Sequence, residues 1–293
     1  TCTKFQVMKK ILIPTDLSDN ATDAFAYLVP LLIEQDAEIH LVHAVDDPFV
    51  KEERTQFDEQ GVEKYTSDII YKMRAEADAA MLVYAEQFRL ALNAAGKPMN
   101  VISHVENGLA DEIILHQAAI IQPQLLIMGR HHHSRFERLF FGTVTQSVMK
   151  KAHCPVLVLP EKYAFTKPQE VLYMSDMDAA DVISVGKILN LLKPFGINLH
   201  IVHFNIHESN SEGKFFALGE QIKRDHQEVK IDYEIVDGNI LRDAWVQYVA
   251  HKNIDFIALT ANKHSGLQRL LNQDTAADVL YHSKLPLLIL HKY

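Results

Sequence analysis

The sequence predicts an α/β protein made of two doubly wound domains, each built on a five-stranded parallel sheet. Three observations carry that expectation. Short, continuous apolar runs alternate with longer helical patterns, as in sheets covered on both faces. One ordered set of landmarks occurs twice along the chain. The 293 residues also exceed what a single core usually fills.

The repeat is read by subtraction. Lys10–Asp16 (KILIPTD) opens a pattern that runs through His43, Gly108 and Gly129 to Pro155. It returns from Val171 (VLYMSD) through His203, Gly238 and Thr260 to Pro286. Asp16 and Asp176 lie 160 apart, as do His43 and His203, whereas Gly108 and Gly238 lie 130 apart, so the second copy has lost 30 residues between those landmarks. Gly129/Thr260 and Pro155/Pro286 both lie 131 apart, which requires one inserted residue and no other shift.

In the first copy the expected strands are Ile11–Pro14, Ile39–Val45, Val101–Val105, Leu125–Met128 and Val156–Leu159. After the first strand, Ser18 or Asp19 can cap a helix whose apolar stripe is Ala21, Ala24, Phe25, Leu28, Leu31 and Leu32, with a kink at Pro30. Ile69, Ile70, Met73, Ala77, Ala80, Met81, Tyr84, Phe88 and Leu92 recur at helical spacing and predict a long amphipathic helix ending at Gly96 and Pro98. In the second copy the strands are Val171–Met174, Leu199–Phe204, Ile231–Val236, Phe256–Leu259 and Leu287–Leu290. Helices are expected near Ala180–Leu192 and Leu241–Lys252, and only a shortened counterpart of the long helix remains around Phe215–His226. The segment 161–169 (EKYAFTKPQ) is an exposed connector by composition, which sets domain one at 1–160 and domain two at 170–293.

Composition excludes several functions. A net charge of −9, from 29 basic and 38 acidic residues, lacks the clustered cations that nucleic-acid phosphates require. No apolar run reaches the ~20 residues that span a bilayer, and the start TCTKFQVMKK has no signal-peptide core, so a cytoplasmic protein with no membrane partner is expected. Met8 fits a native start. Two cysteines, Cys2 and Cys154, make no disulfide framework, and Cys154 before Pro155 reads as a small buried hydrophobe. His43 and His203 read as core histidines bonded to a neighbouring loop, and Trp245 as a core or domain contact.

In an open parallel sheet a ligand sits beyond the carboxyl ends of the strands, where connections diverge. Pro14, Thr15 and Asp16 leave the first strand there, and the carboxylate can accept from sugar hydroxyls or hold a cation. The loop after Met128 supplies Gly129, Arg130, His131, His132, His133, Arg135 and Arg138, followed by Gly142, Thr143, Val144 and Thr145 at the start of a helix-like stretch to Lys151. A helix start presents unpaired N–H groups and partial positive charge, which suits a phosphate. Gly129 and Gly142 fit tight turns as well as an anion cradle, and Asp16 fits a loop brace as well as a ligand contact. For a metal, the candidates are Asp16, His131 and His133. Zinc is not expected, because consecutive loop histidines rarely converge on one ion and no H-E-x-x-H or C-x-x-C occurs.

On these residues the chain resembles a tandem universal stress protein. The resemblance rests on IPTDLSDNA after the first strand, LVHAVD at the second, Asn107-Gly108, the Gly129…Gly142-Thr143 loop and CPVLVLP at the fifth. His132 stands where the family pattern has its middle glycine. The resemblance implies Rossmann-like, HUP-type domains that pair through their last strands, near 156–160 and 287–291, as an internal pseudo-dimer able to form a homodimer. It implies a stress-response module binding ATP or a related adenine nucleotide, with or without magnesium. The nucleoside contacts would be Pro14, Asp16 and Ala44, and the phosphate contacts Gly129, Arg130, His131, His132, Gly142, Thr143, Val144 and Thr145. The second copy reads Thr260 to Gly266 and then Gln273-Asp274-Thr275, with all three motif glycines replaced and Asp274 where phosphate would sit, and is expected to hold no nucleotide. The alternatives are a nucleotide-free stress protein acting through its surfaces, or a slow ATPase, though no dedicated base, nucleophile or G-x-x-x-x-G-K-[ST] loop is present.

Overall fold

A computed structural model describes residues 9–18, 21–45, 59–129, 143–160, 163–175, 177, 179–205, 212–238, 241–261 and 285–291. Each of the ten predicted apolar runs forms a strand. They are β1 (Lys9–Pro14), β2 (Ala37–Val45), β3 (Val101–Asn107), β4 (Leu125–Gly129), β5 (Val156–Leu159), β6 (Glu170–Met174), β7 (Asn198–Asn205), β8 (Lys230–Asp237), β9 (Phe256–Ala261) and β10 (Leu287–His291). The helices are α1 (Phe25–Leu32), α2 (Glu59–Ala94), α3 (Ala110–Ile121), α4 (Thr143–Lys151), α5 (Asp181–Leu192), α6 (Glu212–Asp225) and α7 (Leu241–His251).

The described elements separate into two compact units. The first holds β1 to β4 with α1 to α4, in the strand order β3-β2-β1-β4. β1 runs parallel to β2, from Lys9 opposite Ala37 to Pro14 opposite Val42, and parallel to β4 through Ile11 opposite Leu125. The second unit holds β5 to β10 with α5 to α7, in the order β5-β10-β9-β6-β7-β8. β6 to β10 are parallel, while β5 pairs antiparallel with β10, Leu287 opposite Val158 and Ile289 opposite Val156. That ladder satisfies the backbone groups of two strands that are buried at every residue.

The internal repeat extends to backbone conformation. Leu17 and Met177 take positive φ values of 54° and 58° at positions 177 − 17 = 160 apart, and Gln122 and Asn253 take 52° and 53° at positions 253 − 122 = 131 apart. These are the first and last of the three offsets found in the sequence landmarks. A left-handed residue costs an L side chain about 1 kcal/mol or more, so matching exceptions at matching offsets reflect one chain path used twice.

Two helices differ from expectation. α1 begins only at Phe25, after a 3-10 turn over Ala21–Ala24, and its cap residue Ala24 makes no side-chain bond. The cause lies upstream: the Ser18 N–H is taken by Asp16 Oδ1 at 3.0 Å and Leu17 is left-handed, so the chain is still turning at the proposed cap. α2 extends over 36 residues and buries Met81, Tyr84, Phe88 and Leu92, whereas Ile69 and Ala80 of the predicted stripe are exposed. Its outer face also carries Tyr71, Leu82, Val83 and Leu90 in the open. No helix among the described residues is long and apolar enough to cross a membrane.

Candidate functional site

The carboxyl end of β1 is fixed by three contacts. Thr15 N–H donates to the Val42 carbonyl at 2.8 Å, which continues the β1–β2 ladder one residue past Pro14. The His43 Nδ1–H donates to the Thr15 carbonyl at 2.9 Å, because a carbonyl can only accept. The Thr15 side-chain oxygen accepts from Leu17 N–H at 3.2 Å, closing the turn that Leu17's left-handed φ permits. Asp16 is thereby held at the exposed tip of the strand, with one carboxylate oxygen on the Ser18 N–H.

Beneath this turn lies Tyr84 of α2. Its phenol bonds the Thr15 side chain, and burial, with a smaller push from Asp16, raises its pKa to about 12. Sequence reasoning placed Tyr84 only in the core stripe. The helical period shows which residues face inward, but nothing local says that a phenol 84 − 15 = 69 residues along the chain meets the first strand's tip.

Ala44 sits on β2 opposite Glu106 of β3, and Gly129 closes β4, whose register with β1 places both strand ends on the same edge of the sheet. Thr143 starts α4 in the open, Val144 is half-buried and Thr145 is buried. α4 is tied to the first turn of α3 by Ser147, whose hydroxyl donates to Asp111 Oδ2 at 2.6 Å. Pro14, Asp16, Ala44, Gly129, Thr143, Val144 and Thr145 thus all occupy described positions. Arg130, His131, His132, His133 and Gly142 lie outside the described residues. No group of three or more His, Cys, Asp or Glu among the described residues is placed to hold a metal ion.

The second unit repeats the strand-tip geometry but furnishes it differently. Ser175 N–H donates to the Val202 carbonyl at 2.8 Å, His203 Nδ1–H to the Ser175 carbonyl at 2.9 Å, and Met177 N–H to Ser175 Oγ at 3.0 Å. Each bond copies one in the first unit, shifted by 160. Beside it, however, a buried polar cluster has formed. Tyr173 OH donates to Asp181 Oδ1 at 2.7 Å and lies 2.8 Å from Thr260 Oγ1, while Ser175 Oγ donates to Asp181 Oδ2 at 2.5 Å. Asp181 is 0% exposed, and Ser184 is buried within 3.5 Å of Thr260 Oγ1. Burial and then the Asp181 charge push the Tyr173 phenol well above its ordinary pKa.

By the two offsets, the first-copy residues at these places are Ile13, Thr15, Ala21, Ala24 and Gly129. Thr15 keeps a hydroxyl, but where the first copy has Ile13, Ala21, Ala24 and Gly129 the second has Tyr173, Asp181, Ser184 and Thr260. A buried carboxylate must have its lone pairs occupied, so this cluster is held in one arrangement. Asp176 and residues 262–284, including Asp274, lie outside the described residues.

Residues 8–160 match the model of the universal stress protein family. The chain belongs to that family. A universal stress protein of Methanocaldococcus jannaschii, MJ0531, is 30% identical over 156 residues, which is 52% of this chain and 81% of that protein. Over nearly the whole chain, the fold is that of a universal stress protein from Archaeoglobus fulgidus, with a TM-score of 0.68 at 18% identity, covering 97% of this chain and 96% of the other. A universal stress protein solved in complex with cAMP aligns with 52% of this chain and 97% of its own, at 16% identity and a TM-score of 0.32. The universal stress protein described here is therefore Rossmann-like α/β in fold, with its matched family segment over the first copy.

Proposed function

We propose that this universal stress protein binds one ATP, or a related adenine nucleotide, at the strand-end crevice of its first copy, and that occupancy alters its contacts with partners in a stress response. The observation that carries this reading is the difference between two equivalent strand tips. In the first, Thr15 is bonded by His43 and by Tyr84, Asp16 is exposed beside it, β4 ends at Gly129 and α4 begins with Thr143. In the second, the matching volume holds Tyr173, Asp181, Ser175 and Thr260 bonded together.

The chemistry is complementary to a nucleotide. An exposed strand-end carboxylate at Asp16 accepts from ribose hydroxyls, the backbone of Ala44 borders the base, and the start of α4 with Thr143 and Thr145 faces phosphate. Gly129, Arg130, His131, His132, Gly142 and Val144 complete the proposed phosphate side, with magnesium as an optional companion of the phosphates. The domain division at 161–169 belongs to the same proposal, as does the view of the β5–β10 ladder as the seam of an internal pseudo-dimer.

The test is acid extraction of the purified protein followed by chromatography, together with calorimetric titration of ATP. Copurified or titratable nucleotide supports the proposal, and absence of both removes it. A second reading, a nucleotide-free protein working through its surfaces, is favoured by the exposed Tyr71, Leu82, Val83 and Leu90 on α2.

A further inference from the structure

In the first unit two imidazoles meet across the sheet. His40 of β2 and His104 of β3 lie on the face that α3 covers, with ring planes 17° apart and His40 Nδ1 3.0 Å from His104 Nε2. The other nitrogen of His40, Nε2, lies 2.9 Å from Glu38 Oε1, and Glu38 Oε2 accepts from Asn100 Nδ2 at 2.7 Å. A carboxylate only accepts, so the His40 Nε2 carries hydrogen. Its Nδ1 then accepts the hydrogen of His104 Nε2 when both rings are neutral.

Proton counting gives this pair an unusual property. One added proton is accommodated without rearrangement: the ring pair keeps a single hydrogen between its facing nitrogens while either outer position carries the charge. A second proton places N–H against N–H and destroys the bond. The contact between the facing nitrogens therefore disfavours protonation of both rings at once.

The surroundings support the same direction. Burial first, and then the neighbouring His40, hold His104 below the usual histidine range, with Glu106 opposing. The groups facing the pair are Glu38 on β2, Lys10 on β1, Glu106 on β3, and His116 and Gln117 on α3. Gln117 donates to Glu106, and His116 Nδ1 lies 3.5 Å from the same carboxylate. In the second unit, the equivalent of His40 is His200, 160 residues on, with Nε2 2.7 Å from Glu170 Oε2. There the Nδ1 side meets the phenol of Tyr248 at 3.4 Å, which burial pushes well above the ordinary tyrosine range, so no second imidazole faces it.

We propose that the His40–His104 pair is an acid-sensitive latch between β2 and the edge strand β3 of the first unit. In the order β3-β2-β1-β4, β3 has β2 as its partner, and the Glu106–Gln117 contact hangs α3 on the same strand. Entry of the second proton releases the side-chain link across β2 and β3 and loosens that edge.

The sign follows from linkage. The unfolded chain binds both protons near the ordinary histidine pKa, whereas the folded chain resists the second. The latch contributes fully above pH ~6.5 and is lost as pH falls through the depressed folded value, and the unfolding constant gains up to about tenfold per pH unit in that window. The test compares denaturant unfolding of the full chain and of His104→Gln from pH ~7 to ~4.5. Glutamine retains a donor toward His40 but does not titrate, so the wild type should lose stability more steeply than the variant below pH ~6.5. Parallel profiles would overturn the proposal. Should the variant fold poorly, histidine-labelled NMR of the wild type decides: one ring of the pair must resist protonation well below pH ~6.5, and two independent titrations at the ordinary value would end the idea.

Discussion

His43 donates from Nδ1 to the carbonyl oxygen of Thr15 at 2.9 Å, and through that bond β2 holds the tip of β1 where Asp16 projects. The expectation of a satisfied histidine bonded to a neighbouring loop is met here and again between His203 and Ser175. His43→Leu should destabilise the protein by about 1–2 kcal/mol, the usual cost of losing such a bond, and also weaken nucleotide binding. His203→Leu should carry a similar stability loss and leave binding unchanged. Urea unfolding and calorimetry on both variants check the contrast.

The buried cluster of the second unit makes a separate prediction. Tyr173→Phe takes one donor from a carboxylate that has no exposure to water, and should cost about 1–3 kcal/mol. Asp181→Ala should cost at least as much, because it strands the Tyr173 and Ser175 hydroxyls in the core. Neither change should alter nucleotide affinity, and chemical denaturation beside titration will show whether the two effects separate.

Much of the architecture was legible because it rests on local signals. Runs such as Leu125–Met128 and Leu287–Leu290 are too short for helices and apolar throughout, which is how a strand covered on both faces reads. The exposed Ile69 and the late start of α1 were not legible, since they depend on what the rest of the chain covers and on a turn set by Leu17 and Asp16. Tyr173, Asp181 and Thr260 come from three separated segments, and His40 and His104 stand 64 residues apart, so only packing reveals either group. One trace was available: His40 and His200 lie 160 apart like the other landmarks, and that coincidence could have singled them out. The ends of β1, β2 and β4 are described, while Arg130, His131, His132 and Gly142, expected at the phosphates, lie outside the described residues.

Gly108 tests the backbone path into α3. Its φ of 145° is one that L side chains rarely adopt, and a Cβ there would stand 3.1 Å from Ile113 Cδ1. Its N–H also donates to the Val45 carbonyl at 3.0 Å, at the end of β2. Gly108→Ala should cost about 1–3 kcal/mol, seen as a lower denaturant midpoint with an unchanged slope.

Cys154 offers a chemical readout of folding. Burial pushes its thiol up to about 12, so at pH ~8 only on the order of one molecule in ten thousand carries the reactive thiolate. In a Cys2→Ser background, iodoacetamide should label Cys154 at least about a hundredfold faster in denaturant than in buffer. Equal rates would mean the residue is not enclosed as described.

The central claim is that two copies of one fold have parted at their strand tips, leaving one nucleotide place per chain. Isothermal titration of nucleotide-stripped protein with ATP tests it most directly, with Gly142→Glu as the paired variant. A single site per chain, abolished by the carboxylate placed at the start of α4, is the predicted result. Two equivalent sites, or affinity undisturbed in Gly142→Glu, would contradict it.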